Sequence, residues 1–246
     1  WCRSAASWPP IGKLATRVAV SYPSAEEEFE DVQVVLTGNP LRSDINQGDA
    51  SRIRSQLSLL ESKKVIFVMG GSQGSRIINN RIVSILPQLL KKYQVIHQTG
   101  EKNFDEVKHR AGEMGIKPGR EGYHIFPYIK DELKDVYAVA DLVITRAGAN
   151  SLSEIAANGK PSIVIPIESS ANNHQRMNAY ALAKIGACLV LEETNLGEHV
   201  LLGKIDEILE TEELSKKLSA NIKSFYHPDA AEKIAEGILA MIKNVK

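Results

Sequence analysis

The sequence predicts an α/β protein built on a doubly wound parallel sheet. Short β-rich segments alternate with helical segments along most of the 246 residues, which is the order that strand–helix–strand units produce. Two of the β-rich segments, Val65–Met69 and Ile163–Ile165, are continuous apolar blocks. Such blocks are typical of strands that helices cover on both faces of a parallel sheet.

The elements follow from this alternation in chain order. The predicted strands are the β-rich runs Val18–Tyr22, Val32–Thr37, Val65–Met69, Gln94–Gln98, Tyr123–Phe126, Leu142–Thr145, Ser162–Ile165 and Cys188–Leu191. The predicted helices lie between or after them, at Ser75–Lys91, Phe104–Met114, Asn150–Ala157, Asn173–Lys184 and Ala230–Ile242. Further helices after Leu196 carry charges of both signs, as a solvated helix face does.

We expect one complete domain preceded by a piece of another. The second predicted strand runs into Gly38-Asn39-Pro40, and an Asn-Pro pair signals a turn because the residue before proline avoids helical geometry. Residues 42–246 contain the whole α/β pattern, whereas residues 1–41 contain only two strands. Two strands cannot form a sheet that is buried on both faces. The sequence therefore predicts a boundary between residues 41 and 42.

Composition excludes several classes of function. The 30 Lys and Arg residues balance the 30 Asp and Glu residues, and aromatic residues make up only 6% of the chain. Neither a strong positive field nor a base-stacking platform is therefore expected, and no nucleic-acid partner is predicted. Cys2 and Cys188 form no CxxC pair, and the six histidines show no HExxH spacing. We predict no metal site and favour a reducing, cytoplasmic location.

Two glycine-containing turns follow predicted strands and open predicted helices. The first, Gly70–Gly74, lets the backbone approach a ligand, and the N–H groups at the helix start attract phosphate. The loop lacks the lysine of a Walker A motif, and a plain turn capped by Ser72 is the alternative. In the second turn, Ser151 and Glu154 fit a capping box, with Glu154 bonded to the N–H of the cap. The alternative places Glu154 on a ribose diol.

A third loop, Ser169–Asn178, is rich in amide side chains. Amides both donate and accept hydrogen bonds, which suits the hydroxyls of a sugar, although an asparagine N-cap explains the composition equally well. Ligands of open α/β sheets bind at the carboxyl ends of the strands. The three loops together predict a site for phosphate and sugar, and they contain no evident catalytic base.

Five segments in order resemble the MurG family of bacterial N-acetylglucosaminyltransferases: Gly38–Arg42, Gly70–Gly74, His97–Gly100, Arg146–Glu154 and Asn173–Ala179. The resemblance covers residues 13–246 and implies two Rossmann-like domains that face each other, the GT-B arrangement. It implies that this chain holds the C-terminal donor domain and a partial N-terminal domain. The implied activity is that of an inverting hexosyltransferase of peptidoglycan synthesis. It moves N-acetylglucosamine from UDP-N-acetylglucosamine to undecaprenyl-pyrophosphoryl-N-acetylmuramyl-pentapeptide, which converts lipid I to lipid II.

The resemblance also implies how the nucleotide is bound. Arg42 and Ser72 should contact the nucleotide-sugar, and the backbone of Ile129 should hold the uracil. Glu154 should accept hydrogen bonds from the ribose hydroxyls. Ser151, in the turn at the start of its helix, should lie against the diphosphate.

The sugar is expected to be read by Gln175 together with His174. No cofactor or metal is expected, since GT-B enzymes usually stabilise the leaving diphosphate with helix N-termini and side chains. In the family, the presumed general base, the acceptor site and a membrane-associating patch lie in the N-terminal domain. No catalytic residue is therefore assigned here, and the implied partners are the lipid acceptor and a missing N-terminal half.

The resemblance implies a peripheral position on the cytoplasmic face of the plasma membrane. The alternative function is that of a non-catalytic UDP-sugar-binding subunit, which needs a separate subunit for the acceptor and the membrane.

Overall fold

The computed structural model describes residues 15–22, 29, 32–168 and 174–243. Its strands are β1 (Arg17–Val20), β2 (Gln33–Leu36), β3 (Val65–Met69), β4 (Gln94–Gln98), β5 (Tyr123–Phe126), β6 (Leu142–Thr145), β7 (Ser162–Val164) and β8 (Leu189–Val190). Its helices are α1 (Ala50–Leu57), α2 (Arg76–Lys92), α3 (Phe104–Glu113), α4 (Leu133–Val139), α5 (Ala149–Asn158), α6 (His174–Lys184), α7 (Glu198–Glu210), α8 (Glu212–Lys223) and α9 (Ala230–Lys243). Short 3-10 turns occupy Glu101–Asn103 and Glu193–Asn195.

The main sheet has six strands in the order β5-β4-β3-β6-β7-β8, and every pair is parallel. The chain starts at β3 in the centre, winds outward to β5, and returns to place β6 on the other side of β3. This is the strand order of the Rossmann fold, with its topological switch point between β3 and β6. The predicted doubly wound parallel sheet is confirmed.

Alternate residues of β3 face two separate apolar layers. Ile66 and Val68 pack into one layer with α2, α3 and α7, whereas Val65, Phe67 and Met69 pack into the other with α1, α4, α5 and α6. All five residues of the strand are buried. The strand is a continuous apolar block because helices cover both of its faces.

The described strands β1 and β2 form a two-stranded parallel sheet of their own. They contact the segment that follows α8, where the rings of Tyr22 and Phe225 have centroids 4.8 Å apart. Gly38, with a φ of +79°, packs so closely on His227 that an added Cβ would lie 2.4 Å from the histidine Cβ. The predicted boundary at residues 41 and 42 stays a prediction.

The prediction of the helices missed α4, which spans only seven residues. Its Asp135 is buried, accepts a 2.7 Å hydrogen bond from the backbone N–H of Asp49, and pairs with Arg52. A short helix with a charged residue in its buried face looks like a loop in the sequence. The groups that neutralise Asp135 come from Asp49 and Arg52, which are distant along the chain. The predicted features of residues 1–14, including Cys2, lie outside the described residues.

Candidate functional site

A cleft of about 610 Å³ lies at the carboxyl ends of the strands, over the switch point between β3 and β6. The turns after β3 and β6, the segment after β5 and the start of α6 form its walls. Six of the seven predicted site residues line it: Ser72, Ile129, Ser151, Glu154, His174 and Gln175. The central strands end at this edge in parallel register, which is why segments distant in sequence meet there.

The glycine turn after β3 has a backbone that side chains would disrupt. Gly71 and Gly74 have φ angles of +88° and +75°, in the region that favours glycine. A Cβ at Gly74 would lie 1.9 Å from the carbonyl oxygen of Thr99. Ser75, and not Ser72, caps α2, and its side chain accepts a hydrogen bond from the N–H of Ile78. The structure therefore contradicts the alternative in which Ser72 is the cap.

The turn after β6 presents the N-terminus of α5 to the cleft. Gly148 occupies the N-cap, and among the described residues no side chain bonds to this cap. Ser151 lies inside the helix, so the predicted capping box of Ser151 and Glu154 is wrong. A glycine cap without an acidic residue in the first turn leaves the positive end of the helix dipole to an anion.

Glu154 is a half-buried carboxylate in the wall of the cleft. Its Oε2 accepts a hydrogen bond of 2.9 Å from the hydroxyl of Tyr137. Burial raises the pKa of Glu154, while the Tyr137 hydrogen bond and the charge of Arg42 oppose that rise. Two neighbours therefore favour the ionised carboxylate, against the burial that disfavours it.

Arg42 is not among the residues that line the cleft. Its side chain is 48% exposed, and its Nε lies 3.9 Å from Oδ1 of Asp44. Its charge reaches the site through its effect on Glu154. Arg42 thus lies outside the lining that the other six predicted residues share, but near enough to Glu154 for its charge to act there.

The segment after β5 reaches the cleft at Tyr128 and Ile129. The N–H of Ile129 already donates to Oε1 of Gln98 at 2.9 Å. This bond occupies the N–H of Ile129 and leaves its carbonyl as the backbone group that a ligand could use. The sequence interpretation assigned no role to Gln98, although its place at the end of a buried strand and beside a glycine turn was a usable signal.

The start of α6 supplies amide and imidazole groups. Gln175 Oε1 accepts a hydrogen bond of 3.3 Å from the N–H of Ile167, so its NH₂ donors are turned to other partners. His174 Nδ1 is buried, and no described residue bonds to it. The preceding part of the predicted loop, residues 169–173, lies outside the described residues.

Arg146 is a buried cation beneath the cleft that sequence reasoning did not single out. Its Nη2 donates to Ser75 Oγ at 2.7 Å, its Nη1 donates to the Ile165 carbonyl at 3.1 Å, and it pairs with Glu193 at 2.5 Å. The side chain thereby ties the cap of α2 to the end of β7. A charged residue directly after the apolar strand β6 was the signal that could have found it.

The described part of the chain contains no group of three or more His, Cys, Asp or Glu side chains arranged to hold a metal ion. It also contains no helix with the length and apolar character needed to cross a membrane.

Comparison with known proteins identifies the domain that carries this cleft. The model of the glycosyltransferase family 28 C-terminal domain matches residues 65–234. The chain belongs to this family. The matched residues include β3 to β8 and six of the predicted site residues. The expected resemblance to a GT-B glycosyltransferase C-terminal domain is confirmed.

Curated relatives carry the name UDP-N-acetylglucosamine--N-acetylmuramyl-(pentapeptide) pyrophosphoryl-undecaprenol N-acetylglucosamine transferase. The protein from Thermodesulfovibrio yellowstonii is 37% identical over 229 residues, which cover 92% of this chain and 61% of the relative. The protein from Bacillus cytotoxicus is 36% identical over 234 residues, which cover 95% and 63%. The chain therefore spans about three fifths of the length of these relatives.

Solved structures support the family fold. The crystal structure of Acinetobacter baumannii MurG superposes with a TM-score of 0.72 at 21% identity, covering 94% of this chain and 62% of the other. The UDP-GlcNAc 2-epimerase from Neisseria meningitidis, solved bound to UDP-GlcNAc, superposes with a TM-score of 0.65 at 12% identity, covering 93% and 62%. At such identities the likeness shows the fold alone.

Proposed function

We propose that this glycosyltransferase family 28 domain binds UDP-N-acetylglucosamine as the donor part of an inverting N-acetylglucosaminyltransferase. The acceptor of the whole enzyme would be undecaprenyl-pyrophosphoryl-N-acetylmuramyl-pentapeptide. One observation carries the proposal: the glycine turn before α2, the N-terminus of α5, a half-buried carboxylate and an amide side chain line a single cleft at the switch point of the sheet. The transferase names of relatives at 36–37% identity support the reaction class.

The cleft contains a chemical partner for each part of the donor. The backbone of the glycine turn before α2 and the N-terminus of α5 suit the diphosphate, whose charge grows as UDP leaves, because N–H donors fixed in advance stabilise such charge. Glu154 suits the ribose diol, and the carbonyl of Ile129 suits the N3–H of uracil. The NH₂ group of Gln175, with His174 beside it, suits the hydroxyls and the acetamido group of the sugar.

We further propose that residues 1–41 belong to a separate acceptor-binding domain, since β1 and β2 pair only with each other among the described strands. The lipid acceptor and the attachment to the cytoplasmic face of the membrane would then be properties of that domain. The same arrangement suits a donor-binding subunit that works with a separate acceptor subunit, which is the second candidate. Transfer to the lipid acceptor by the isolated chain would contradict both, since each places the acceptor site elsewhere.

Calorimetric titration of the 246-residue chain with UDP-N-acetylglucosamine and UDP-glucose tests the donor assignment. Replacing Glu154 by Gln keeps an acceptor for Tyr137 and removes the charge. We expect this variant to bind both UDP-sugars about tenfold more weakly or worse, as loss of a charged hydrogen bond does. Replacing Gln175 by Ala should weaken UDP-N-acetylglucosamine about fivefold and leave free UDP unchanged.

Matched controls are Glu207→Gln and Gln56→Ala. Glu207 is an exposed partner of Lys204 on α7, and Gln56 is exposed on α1. Both variants should bind the donor as the unaltered chain does. Absence of UDP-sugar binding by the unaltered chain would refute the proposed function.

A further inference from the structure

Tyr137 reaches the candidate site from inside the protein. It lies on α4 and is fully buried, and its ring packs edge-on against Phe67 of β3, with centroids 5.5 Å apart and planes at 85°. Its hydroxyl oxygen lies 2.9 Å from Oε2 of Glu154 and 3.4 Å from the sulfur of Met69. The hydroxyl donates its hydrogen bond to the carboxylate, because a carboxylate is a far stronger acceptor than a thioether.

The bond acts on a side chain that is otherwise free to rotate. A glutamate has several rotatable bonds, and ordering them when a ligand arrives weakens binding. Tyr137 is buried on α4 with its ring packed against Phe67 of β3, so its hydroxyl is a rigid point of attachment for Oε2. Glu154 lines the cleft, and Oε1 is the carboxylate oxygen that Tyr137 does not hold. The hydroxyl also favours the ionised carboxylate, against the burial that raises its pKa.

We propose that Tyr137 is a positioning residue of the donor site, which holds Glu154 so that its second oxygen accepts hydrogen bonds from the ribose hydroxyls. The inference rests on the proposed function, since it presumes that a uridine nucleotide occupies the cleft. It assigns a role to a residue that is not among those lining the cleft. It also makes a specific demand: the effect of the Tyr137 hydroxyl must depend on the hydroxyls of the ribose.

Tyr93 provides a matched control within the same chain. Its hydroxyl also donates to a carboxylate, Oδ1 of Asp206, at 2.7 Å, and its side chain is buried as well. It stands directly before β4, at the end of the sheet opposite the cleft. Tyr93→Phe therefore removes the same kind of bond from the same fold without touching the site.

The experiment compares the full chain with its Tyr137→Phe and Tyr93→Phe variants. Calorimetric titrations measure the affinity of each protein for UDP and for 2′,3′-dideoxy-UDP. Circular dichroism melting tests whether each protein is folded at the assay temperature. We expect Tyr137→Phe to weaken UDP binding about tenfold and to leave dideoxy-UDP binding unchanged. Tyr93→Phe should change neither affinity, although it should lower the melting temperature.

The outcomes separate this inference from the proposed function. Equal weakening of UDP and dideoxy-UDP by Tyr137→Phe, or no weakening of either, would overturn the positioning role while UDP binding by the unaltered chain upholds the site. Absence of UDP binding by the unaltered chain would overturn both. Should Tyr137→Phe be unfolded at the assay temperature, all titrations are repeated below its melting temperature, where the loss of affinity should again be confined to UDP.

Discussion

His97 shows how a single buried side chain is held neutral. Its Nε2 lies 3.0 Å from Oδ1 of Asn79, and its Nδ1 lies 3.1 Å from the hydroxyl of Tyr123. The amide nitrogen of Asn79 donates to the carbonyl of Thr99 at 2.9 Å, so the oxygen of that amide faces the ring and accepts. The proton therefore sits on Nε2, and Tyr123 donates to Nδ1. This network supports the strand end against which the glycine turn packs.

Burial lowers the pKa of His97 from 6.5 to about 3, which predicts a loss of stability in acid. Below pH 6.5 the unfolded chain binds a proton that the folded chain excludes, so the free energy of unfolding falls as the pH drops toward 3. The contribution reaches at most about 1.4 kcal/mol for each pH unit. Urea unfolding measured between pH 7 and pH 4 gives the free energy of unfolding at each pH. That free energy should fall less steeply with decreasing pH for His97→Asn than for the unaltered chain.

The control for this pH dependence is His109→Asn. His109 lies on the surface of α3, with its side chain 75% exposed. Its replacement should leave the slope unchanged. An identical slope in His97→Asn would show that another group carries the pH dependence.

Among the elements, the glycine turn and α2 depend on a close backbone contact with the end of β4. The would-be Cβ of Gly74 meets the Thr99 carbonyl, and that of Gly100 would lie 2.3 Å from the carbonyl oxygen of Gln73. Asn103 adds a side-chain hydrogen bond of 3.0 Å to the Thr99 carbonyl. The segment His97–Gly100 thus supports the turn through a backbone contact between segments that are distant along the chain.

A pair of glycine variants tests this support. Gly71→Ala places a Cβ in open space, since no atom lies within 4 Å. It should lower stability only by the backbone strain of a positive φ, about 1–2 kcal/mol. Gly74→Ala adds a collision with backbone at 1.9 Å and should move the whole turn. Chemical denaturation should show the larger loss for Gly74→Ala, together with the larger loss of UDP affinity. Equal losses would contradict the contact.

For the whole molecule, the segment after α8 connects the small sheet to the large one. Alternate residues of β2 are exposed, and β1 is mostly exposed or half-buried. A two-stranded sheet of this kind is marginally stable alone. The aromatic contact of Tyr22 with Phe225 and the close approach of Gly38 to His227 therefore hold it in place.

Replacing Phe225 by Ala should release the small sheet without unfolding the large one. An aromatic pair contributes about 0.5–1.5 kcal/mol beyond its burial, which is a large share of the stability of so small a unit. Hydrogen exchange should accelerate at Gln33–Leu36 and stay slow at Val65–Met69. As a control, Leu239→Ala, at a side chain that is 57% exposed on α9, should change neither. Loss of protection at Val65–Met69 would mean that the two sheets unfold together.

The sequence by itself determined the sheet and the loops that carry the site. The apolar block of β3 and the alternation of strands and helices indicated a parallel sheet, because residues covered on both faces leave a local signature. Glycine turns at the strand ends likewise indicated where a ligand would bind, since the carboxyl ends of parallel strands share one edge. Periodicity and turn chemistry act between neighbouring residues, and the sequence records them directly.

Only the tertiary structure decided what Glu154 does in the fold. The spacing from Ser151 favoured a capping box, but Gly148 caps the helix and the partner of Glu154 is Tyr137, which is 17 residues away in the chain. The buried Arg146 bonds to Ser75 and Ile165, which lie 71 and 19 positions away in the chain. The buried Asp135 bonds to Asp49, which lies 86 positions away. Such pairings arise when helices and strands pack, and the packing of remote segments leaves no local signature in the sequence.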